Sequence, residues 1–181
     1  MNETINIRQA TPKDIPSLSE IIRRSFRDVA GKFGLTPENC PTHPSNCDAS
    51  WIKGDMQKGI GYYLLECSSQ PVGCVALERS TQTTCFLERL AVLPTSRGKG
   101  LGRCLVHHVF AEAKKQGFGA VSIAIIANHS DLKSWYQRLG FTEMETKSFP
   151  HLPFKVMFLN HGLGESANQQ IHAIAAKRGS S

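Results

Sequence analysis

The sequence lacks the features that would place the chain in a membrane or a secretory pathway. Residues 1–10 are mixed and polar, without the apolar segment of a signal peptide. No apolar run reaches the roughly 18 residues that a membrane-spanning helix needs. We therefore expect a cytoplasmic protein that does not insert into a membrane.

Paired cysteine motifs are also absent, although the chain has six cysteines. Without a CxxC pair, neither a zinc ribbon nor a thiol redox motif is indicated. Cys74, Cys85 and Cys104 lie in apolar stretches, and we expect them to be small core residues in a reducing compartment. The segment CPTHPSNC, residues 40–47, offers three candidate ligands, whereas a structural zinc site needs four. We interpret it as a rigid proline-rich loop and expect no metal.

Acidic residues are fewer than basic ones, with 15 Asp and Glu against 21 Lys and Arg and a net charge of +6. This balance favours an anionic partner, such as nucleic acid, a phosphorylated cofactor or an acidic substrate. The basic residues do not form a stripe with interleaved aromatics, so we expect no nucleic-acid binding. Long acidic stretches are absent too, which gives no support to a polycationic substrate.

Strand and helix signals alternate along the 181 residues, a length typical of one domain. Hydrophobic periodicity predicts helices that begin near residue 11, residue 100 and residue 130, and a long connection over 31–59 with a short helix at 51–58. It predicts strands at residues 5–8, 61–66, 72–79, 83–92, 120–126, 141–146 and 154–159. This order predicts an α+β domain over residues 1–160, followed by a polar tail or short helix over 161–181.

The stretch RGKGLG, residues 97–102, lies between a predicted strand and a predicted helix. A dinucleotide fingerprint needs GxGxxG, but position 103 is arginine. A P-loop needs GxxxxGK followed by Ser or Thr, and Lys99 is followed by Gly100. The remaining pattern is RxxGxG at a helix start, where inward-facing backbone N–H groups and the helix dipole suit a pyrophosphate.

Two segments resemble the GNAT superfamily of N-acetyltransferases. LERLAVLPTSRGKGLG, residues 87–102, resembles the acetyl-CoA signature of that family, and WYQRLGF, residues 135–141, resembles its second signature. The order of elements between residues 5 and 159 fits as well. The resemblance implies a central mixed, mostly antiparallel sheet that is flanked by helices and splayed at the acetyl-CoA site.

The resemblance also implies which residues bind acetyl-CoA. The strand residues Leu90, Ala91 and Val92 would lie beside the pantetheine arm, and one of their amides would polarise the thioester carbonyl. Asn128, after a central strand, would contact the pantetheine, although His129 stands at the family's usual distance from the tyrosine. The pyrophosphate would lie against the loop and helix start formed by Arg97, Gly98, Lys99, Gly100, Leu101, Gly102 and Arg103.

Two residues are candidates for proton transfer. Tyr136 matches the family's tyrosine near the cofactor sulfur and would protonate the leaving thiolate, but it also fits the apolar face of its helix. Glu88 precedes Leu90 by two residues, so we expect both on one strand face, with Glu88 as the base. Glu88 fits equally well as a solvated carboxylate paired with Arg89 or Arg79. His151 is a secondary candidate base that also fits as a surface histidine.

The sequence therefore predicts an N-acetyltransferase that transfers the acetyl group of acetyl-CoA to an amine by direct attack in a ternary complex. No serine or cysteine lies in a recognisable nucleophile motif, which agrees with direct attack. The acceptor would be a small-molecule amine or a peptide or protein amine, and the resemblance allows a homodimer. A catalytically inactive acyl-CoA-binding or sensor module of the same fold is the alternative.

Overall fold

A computed structural model of the chain describes residues 4–164. One seven-stranded sheet runs through the molecule in the order β1-β2-β3-β4-β5-β7-β6. All neighbouring strands are antiparallel except β4 and β5, which are parallel. The strands are β1 Ile5–Gln9, β2 Gly61–Cys67, β3 Gln70–Arg79, β4 Thr84–Val92, β5 Ala120–Ile126, β6 Thr142–Ser148 and β7 Lys155–Gly162.

Within residues 4–164 there are five α-helices: α1 Ile15–Ser25, α2 Arg27–Phe33, α3 Ala49–Gln57, α4 Leu101–Lys115 and α5 Ser130–Arg138. The α4 helix buries a stripe of apolar residues at helical spacing, which is why it packs lengthwise on the sheet. The predicted α+β sheet flanked by helices is confirmed. Among residues 4–164, no helix is long and apolar enough to cross a bilayer.

Apolar side chains form a core on each face of the sheet. The larger core, which includes Leu105, Val109, Ile123 and Leu159, lies under α4 and α5. The smaller core lies under α1 and α3 and includes Leu18, Ile22, Ile52, Leu64 and Ala76. The two cores are named the α4 core and the α1 core below. The distinction matters for the site, because the face of the sheet on which a side chain lies decides which core it packs against.

Several element boundaries differ from the expectation. The long connection contains α2 at its start, and α3 begins two residues early because the Asp48 carboxylate accepts from the Ser50 amide at 2.7 Å. The α5 helix begins at Ser130, as expected, and its N-cap is His129, whose ring accepts from the Leu132 amide. Strand β7 runs to Gly162, past residue 160, and residues 165–181 of the predicted tail lie outside the described residues.

The cysteine prediction holds for two of its three members. Cys74 and Cys85 have no exposed surface, as expected of small core residues. Cys104 is exposed, because it lies on the outward side of α4 despite its apolar neighbours in sequence. Cys40 and Cys47 are both buried, but in different apolar clusters. The loop between them is therefore anchored at two points by apolar packing.

Candidate active site

Strands β4 and β5 separate, and the separation opens a cleft through the sheet. Their parallel ladder holds three residue pairs and ends at Phe86 and Ser122. By contrast, β5 stays paired with β7 along its whole length, to Ile126. The cleft has a volume of about 960 Å³ and is lined by parts of β4, β5, β7, α5, the glycine loop and the residues around α2. The predicted splay is therefore present.

A bulge in β4 changes the face on which its residues lie. The pairing of β3 with β4 shifts register between Cys74 and Ala76, and Arg89 has a φ of 50°, which is unusual for a residue other than glycine. Glu88 is paired with Ala76 of the α1 core, whereas Leu90 packs against the α4 core. The expectation that Glu88 and Leu90 share a face is wrong, because the bulge inserts one residue into the alternation.

Arg89 is among the residues that line the cleft, and its side chain is anchored to α3. Its Nη2 lies 3.3 Å from a carboxylate oxygen of Asp55, and its guanidinium lies over the ring of Trp51 at 5.6 Å. The hydroxyl of Tyr62 donates to the same carboxylate at 2.6 Å. Trp51, Asp55 and Tyr62 do not line the cleft. These contacts hold the bulge in place from the α1 side of the sheet.

The glycine loop leads directly into α4 and exposes its backbone to the cleft. Gly98 and Gly100 both have φ of +79°, and Gly100 is the N-cap of α4. A Cβ at either position would meet no atom within 4 Å, so the space beside this backbone is open. The N–H groups of the first helical turn have no intrahelical partner and carry the positive end of the helix dipole. The loop is thus built to receive an anion.

Most of the predicted loop residues line this cleft. They are Arg97, Gly98, Gly100, Leu101, Gly102 and Arg103, together with Leu90, Ala91 and Val92 of β4. Lys99 is exposed and lies outside the lining, as does Asn128. His129 lines the cleft in place of Asn128, with its ring against Phe33 at 5.4 Å. His151 is exposed and outside the lining.

The side chain of Arg97 points to the junction between α1 and α2. It forms an ion pair with Asp28, donates to the carbonyl of Ser25 at 2.7 Å, and donates to the carbonyl of Val92 at 3.1 Å. Through these three contacts, the guanidinium connects the glycine loop to α1 and α2. The backbone of Arg97, rather than its side chain, remains the candidate for the anion site.

Tyr136 belongs both to the α4 core and to the cleft wall. It is 5% exposed and packs edge-on against Trp135 and Phe141, with ring centroids 4.8 and 5.3 Å apart. Burial raises the pKa of its phenol well above the usual range, so the hydroxyl stays protonated at neutral pH. Both interpretations of this residue, as packing and as proton donor, are compatible with its position.

Glu88 lines the cleft from the other side of the splay. Burial raises the pKa of its carboxyl, Glu78 raises it further, and Arg89 opposes the shift. The two arginines suggested as its partners are engaged elsewhere: Arg89 with Asp55, and Arg79 over the ring of Phe118 at 4.5 Å. The position is therefore that of a half-buried carboxylate facing the cleft, as a general base requires.

His43 is a cleft residue that the sequence analysis placed only in a loop. It is 6% exposed, its Nδ1 lies 2.8 Å from the Ser45 hydroxyl, and its ring meets Phe26 edge-on at 5.8 Å. Burial lowers the pKa of its imidazole, so the ring is neutral at pH 7. The local sequence does not indicate that His43 lies in the cleft, because its contact with Phe26 joins two segments that are distant in sequence.

Comparison with known proteins finds similarity to acetyltransferases over a segment that includes the glycine loop. Residues 58–143 match the family model of the acetyltransferase (GNAT) domain. An uncharacterised N-acetyltransferase of Escherichia coli, YjgM, is 27% identical over 142 residues, which cover 77% of this chain and 83% of that protein. An uncharacterised N-acetyltransferase of Methanocaldococcus jannaschii, MJ1207, is 29% identical over 151 residues, which cover 79% of this chain and 63% of that protein.

Solved structures share the fold at low sequence identity. The putative acetyltransferase yncA of Salmonella typhimurium, solved with acetyl-CoA, has a TM-score of 0.66 and 21% identity, covering 90% of this chain and 96% of that chain. The ribosomal-protein-S18-alanine N-acetyltransferase of Escherichia coli has a TM-score of 0.72 and 15% identity, covering 91% and 97%.

The splayed sheet, the glycine loop and the matched domain together support an acyltransferase. Residues 58–143 are similar to the GNAT acetyltransferase domain, and the N-acetyltransferases that match this chain support an acetyl-CoA-dependent N-acetyltransferase. The alternative of an inactive acyl-CoA-binding module is not favoured by these matches.

Proposed function

We propose that this chain transfers the acetyl group of acetyl-CoA to a primary amine by direct attack of the amine within a ternary complex. The observation that carries the proposal is the separation of β4 from β5, with Glu88 and Tyr136 both lining the opening. A carboxylate and a phenol at one cleft supply the base and the acid that the reaction needs. A homodimer and a cytoplasmic location remain predictions.

The cofactor side of the cleft fits acetyl-CoA, which supplies an activated acyl group as a thioester. The backbone of Gly98 and Gly100 would hold the diphosphate at the start of α4, where open space and the helix dipole coincide, and Gly102 follows in the first helical turn, close to the ring of Trp135. Arg103 lines the same end and adds positive charge. Lys99 and Asn128 stay predictions, and both are exposed next to lining residues.

Strand β4 would hold the acyl end of the cofactor. Beyond Phe86 its edge is not paired with β5, so the amides and carbonyls of Leu90–Val92 are candidates for pairing with the pantetheine arm. An amide directed at the thioester oxygen would stabilise the negative charge that develops there. The bulge at Arg89 sets the direction of these groups, because it rotates the backbone that follows it.

Glu88 would take a proton from the attacking amine. A primary amine has a pKa near 10 and arrives as an ammonium, so it must lose a proton before it can attack. Glu88 can accept that proton directly or through one water. Burial favours this role, because a raised carboxyl pKa lies closer to the working pH.

Tyr136 would donate a proton to the thiolate that leaves. Its hydroxyl is protonated at neutral pH, since burial raises its pKa. We expect Tyr136→Phe to lower kcat by about 100-fold, the lower limit for loss of a general acid, with little change in acetyl-CoA affinity. Free thiol release in the presence of an amine measures kcat, and calorimetry measures affinity.

Tyr63→Phe is the matched control for this variant. Tyr63 is also 5% exposed and belongs to the same α4 core, but it does not line the cleft. We expect Tyr63→Phe to keep kcat. Equal kcat values for wild type and Tyr136→Phe would remove Tyr136 from the mechanism.

A further inference from the structure

We propose that the acceptor is a monoamine with an apolar, preferably aromatic, body and without a carboxylate. This inference rests on the proposed function and names the substrate class of the same cleft. It comes from the acceptor pocket, defined here as the part of the cleft lined by Phe26, Val29, Pro44, Phe86, Phe154 and Val156.

Phe86 is the central apolar residue of the acceptor pocket. It precedes Glu88 by two positions in the regular part of β4, opposite Glu78, so both side chains lie on the α1 side of the sheet about 7 Å apart. Phe86 is half-buried and belongs to neither the α1 core nor the α4 core. An apolar ring is therefore available beside the carboxylate that would accept the amine's proton.

Strand β5 continues this apolar surface. Ala124 is exposed although β5 is a central strand, because the splay leaves its outer face uncovered, and it lines the cleft. Val29 and Phe154 pack against one apolar cluster beside the cleft, and both line it together with Phe26 and Val156. A ligand in the acceptor pocket would cover apolar surface on several sides, which favours an apolar body.

Three arginines line the cleft, but none belongs to the acceptor pocket as defined above, and two of them are already paired with carboxylates. The guanidinium of Arg89 is held beneath α3 by Asp55, and that of Arg97 is held by Asp28 and the Ser25 carbonyl. Arg103 belongs to the start of α4, at the diphosphate end. Burial lowers the pKa of His43 and of His129, so both rings are neutral at pH 7. A carboxylate on the acceptor would lose its hydration without a counter-charge.

The number of carboxylates in the cleft limits the number of amines that an acceptor can carry. Within the described lining, the carboxylates are Glu88 and Asp28, and Asp28 is in an ion pair with Arg97. Glu88 can face one ammonium, and a second ammonium on the same molecule would be buried against phenylalanine rings. This charge distribution favours a monoamine over a diamine.

Two matched pairs of amines test the inference. 2-Phenylethylamine and phenylalanine differ by one carboxylate, and n-pentylamine and 1,4-diaminobutane differ by one terminal ammonium. We expect the first member of each pair to have the higher kcat/KM by about tenfold or more, since the second member leaves a charge unpaired. Equal or higher kcat/KM for phenylalanine or 1,4-diaminobutane would overturn the inference, and so would a complete lack of 2-phenylethylamine acetylation.

Phe86→Ala links the preference to the acceptor pocket. We expect it to lower kcat/KM for 2-phenylethylamine by about tenfold, mainly through KM, because it removes a contact surface of several methylene equivalents. The KM for acetyl-CoA should not change. Phe158→Ala is the matched control, since Phe158 is also half-buried and lies on the same face of the sheet opposite Ala124, outside the cleft lining. An equal effect of both variants would contradict a specific role for Phe86.

The two proposals fail in different ways. Transfer to amines without the expected preference would overturn the acceptor class and keep the acetyltransferase function. Absence of acetyl-CoA binding, measured by calorimetry without any amine, would overturn the proposed function itself.

Discussion

At the residue scale, single side chains in this molecule serve both packing and chemistry. Tyr136 completes an aromatic cluster with Trp135 and Phe141 and also lines the cleft. Glu88 is half-buried yet faces the opening. Burial raises the pKa of both groups, which keeps the phenol protonated and brings the carboxyl closer to neutral pH. The packing environment thus shifts both pKa values in the direction that the proposed proton transfers require.

Glu88→Gln tests the base. In the wild type, kcat/KM for the amine should rise with pH as Glu88 loses its proton, at a pH above the usual carboxyl range because its pKa is raised. In the variant, this rise of kcat/KM with pH should be absent, and kcat/KM should be about 100-fold lower. A pH–rate profile of both proteins measures the effect.

Glu78→Gln is the matched control for the base. Glu78 lies opposite Phe86 on β3, and its charge raises the pKa of Glu88. Its removal should move the acid limb to lower pH without abolishing activity. If Glu88→Gln keeps the wild-type profile, the base is another group.

At the element scale, the bulge in β4 positions the groups that we propose to react. It places Glu88 toward the α1 core and Leu90 toward the α4 core, and it depends on a residue with φ of 50°. Such a conformation persists because surrounding contacts hold it. Those contacts are the ion pair of Arg89 with Asp55 and the hydrogen bond from Tyr62. Arg89 is thus a positioning residue for the site.

Asp55→Ala tests this anchor. The variant would leave the guanidinium of Arg89 and the hydroxyl of Tyr62 without their carboxylate in a largely buried place. We expect a loss of about 2–4 kcal/mol in the free energy of unfolding, measured by denaturant titration. We also expect a lower kcat, because the bulge directs β4.

Glu20→Ala is the comparison for Asp55→Ala. The pair Arg24–Glu20 has the same 3.3 Å separation as Arg89–Asp55, but its side chains are 45% and 56% exposed against 18% and 15%. The exposed pair should contribute well under about 1 kcal/mol. Similar losses for both variants would mean that burial of Arg89 does not matter.

At the scale of the whole molecule, the cleft lies between two halves of one sheet that share the α4 core. The α1 core lies over β2, β3 and β4, and the larger α4 core reaches across to β5 and β7. Arg97 ties the glycine loop to the α1–α2 junction across this cleft. A ligand between the halves would contact both of them, so its binding should stabilise the whole fold.

Acetyl-CoA should therefore raise the Tm of the protein. Saturation at a hundred times Kd adds about 2.7 kcal/mol, which corresponds to a rise of several degrees for a chain of this size. Thermal unfolding with acetyl-CoA, ATP and NAD measures the effect, and we expect a shift with acetyl-CoA alone. An equal shift with ATP would contradict a specific acetyl-CoA site.

A glycine pair serves as the control for the thermal shift. Gly100→Ala and Gly117→Ala impose the same backbone strain, with φ of +79° and +82°, and neither Cβ would meet an atom within 4 Å. Only Gly100 lies in the cleft lining. Both variants should lower the Tm of the unliganded protein, but Gly100→Ala alone should lose the acetyl-CoA shift.

The sequence by itself determined the local parts of this protein. The glycine loop, the start of α4 and the ends of α4 and α5 at Gly117 and Gly140 follow from backbone freedom and helix periodicity within a few residues. The order of strands and helices followed from the same short-range patterns. These features need no distant partner, so the chain's local pattern was sufficient.

The tertiary structure decided the parts that join distant segments. Arg97 meets Asp28 across 69 positions of sequence, so its side chain joins the glycine loop to the junction between α1 and α2. The bulge at Arg89 depends on Asp55 and on the register with β3, and it reversed the expected face of Glu88. His43 lies in the cleft because its ring packs against Phe26. Strand alternation predicts a side chain's face only while the pairing stays regular, and non-local contacts decide where it does not.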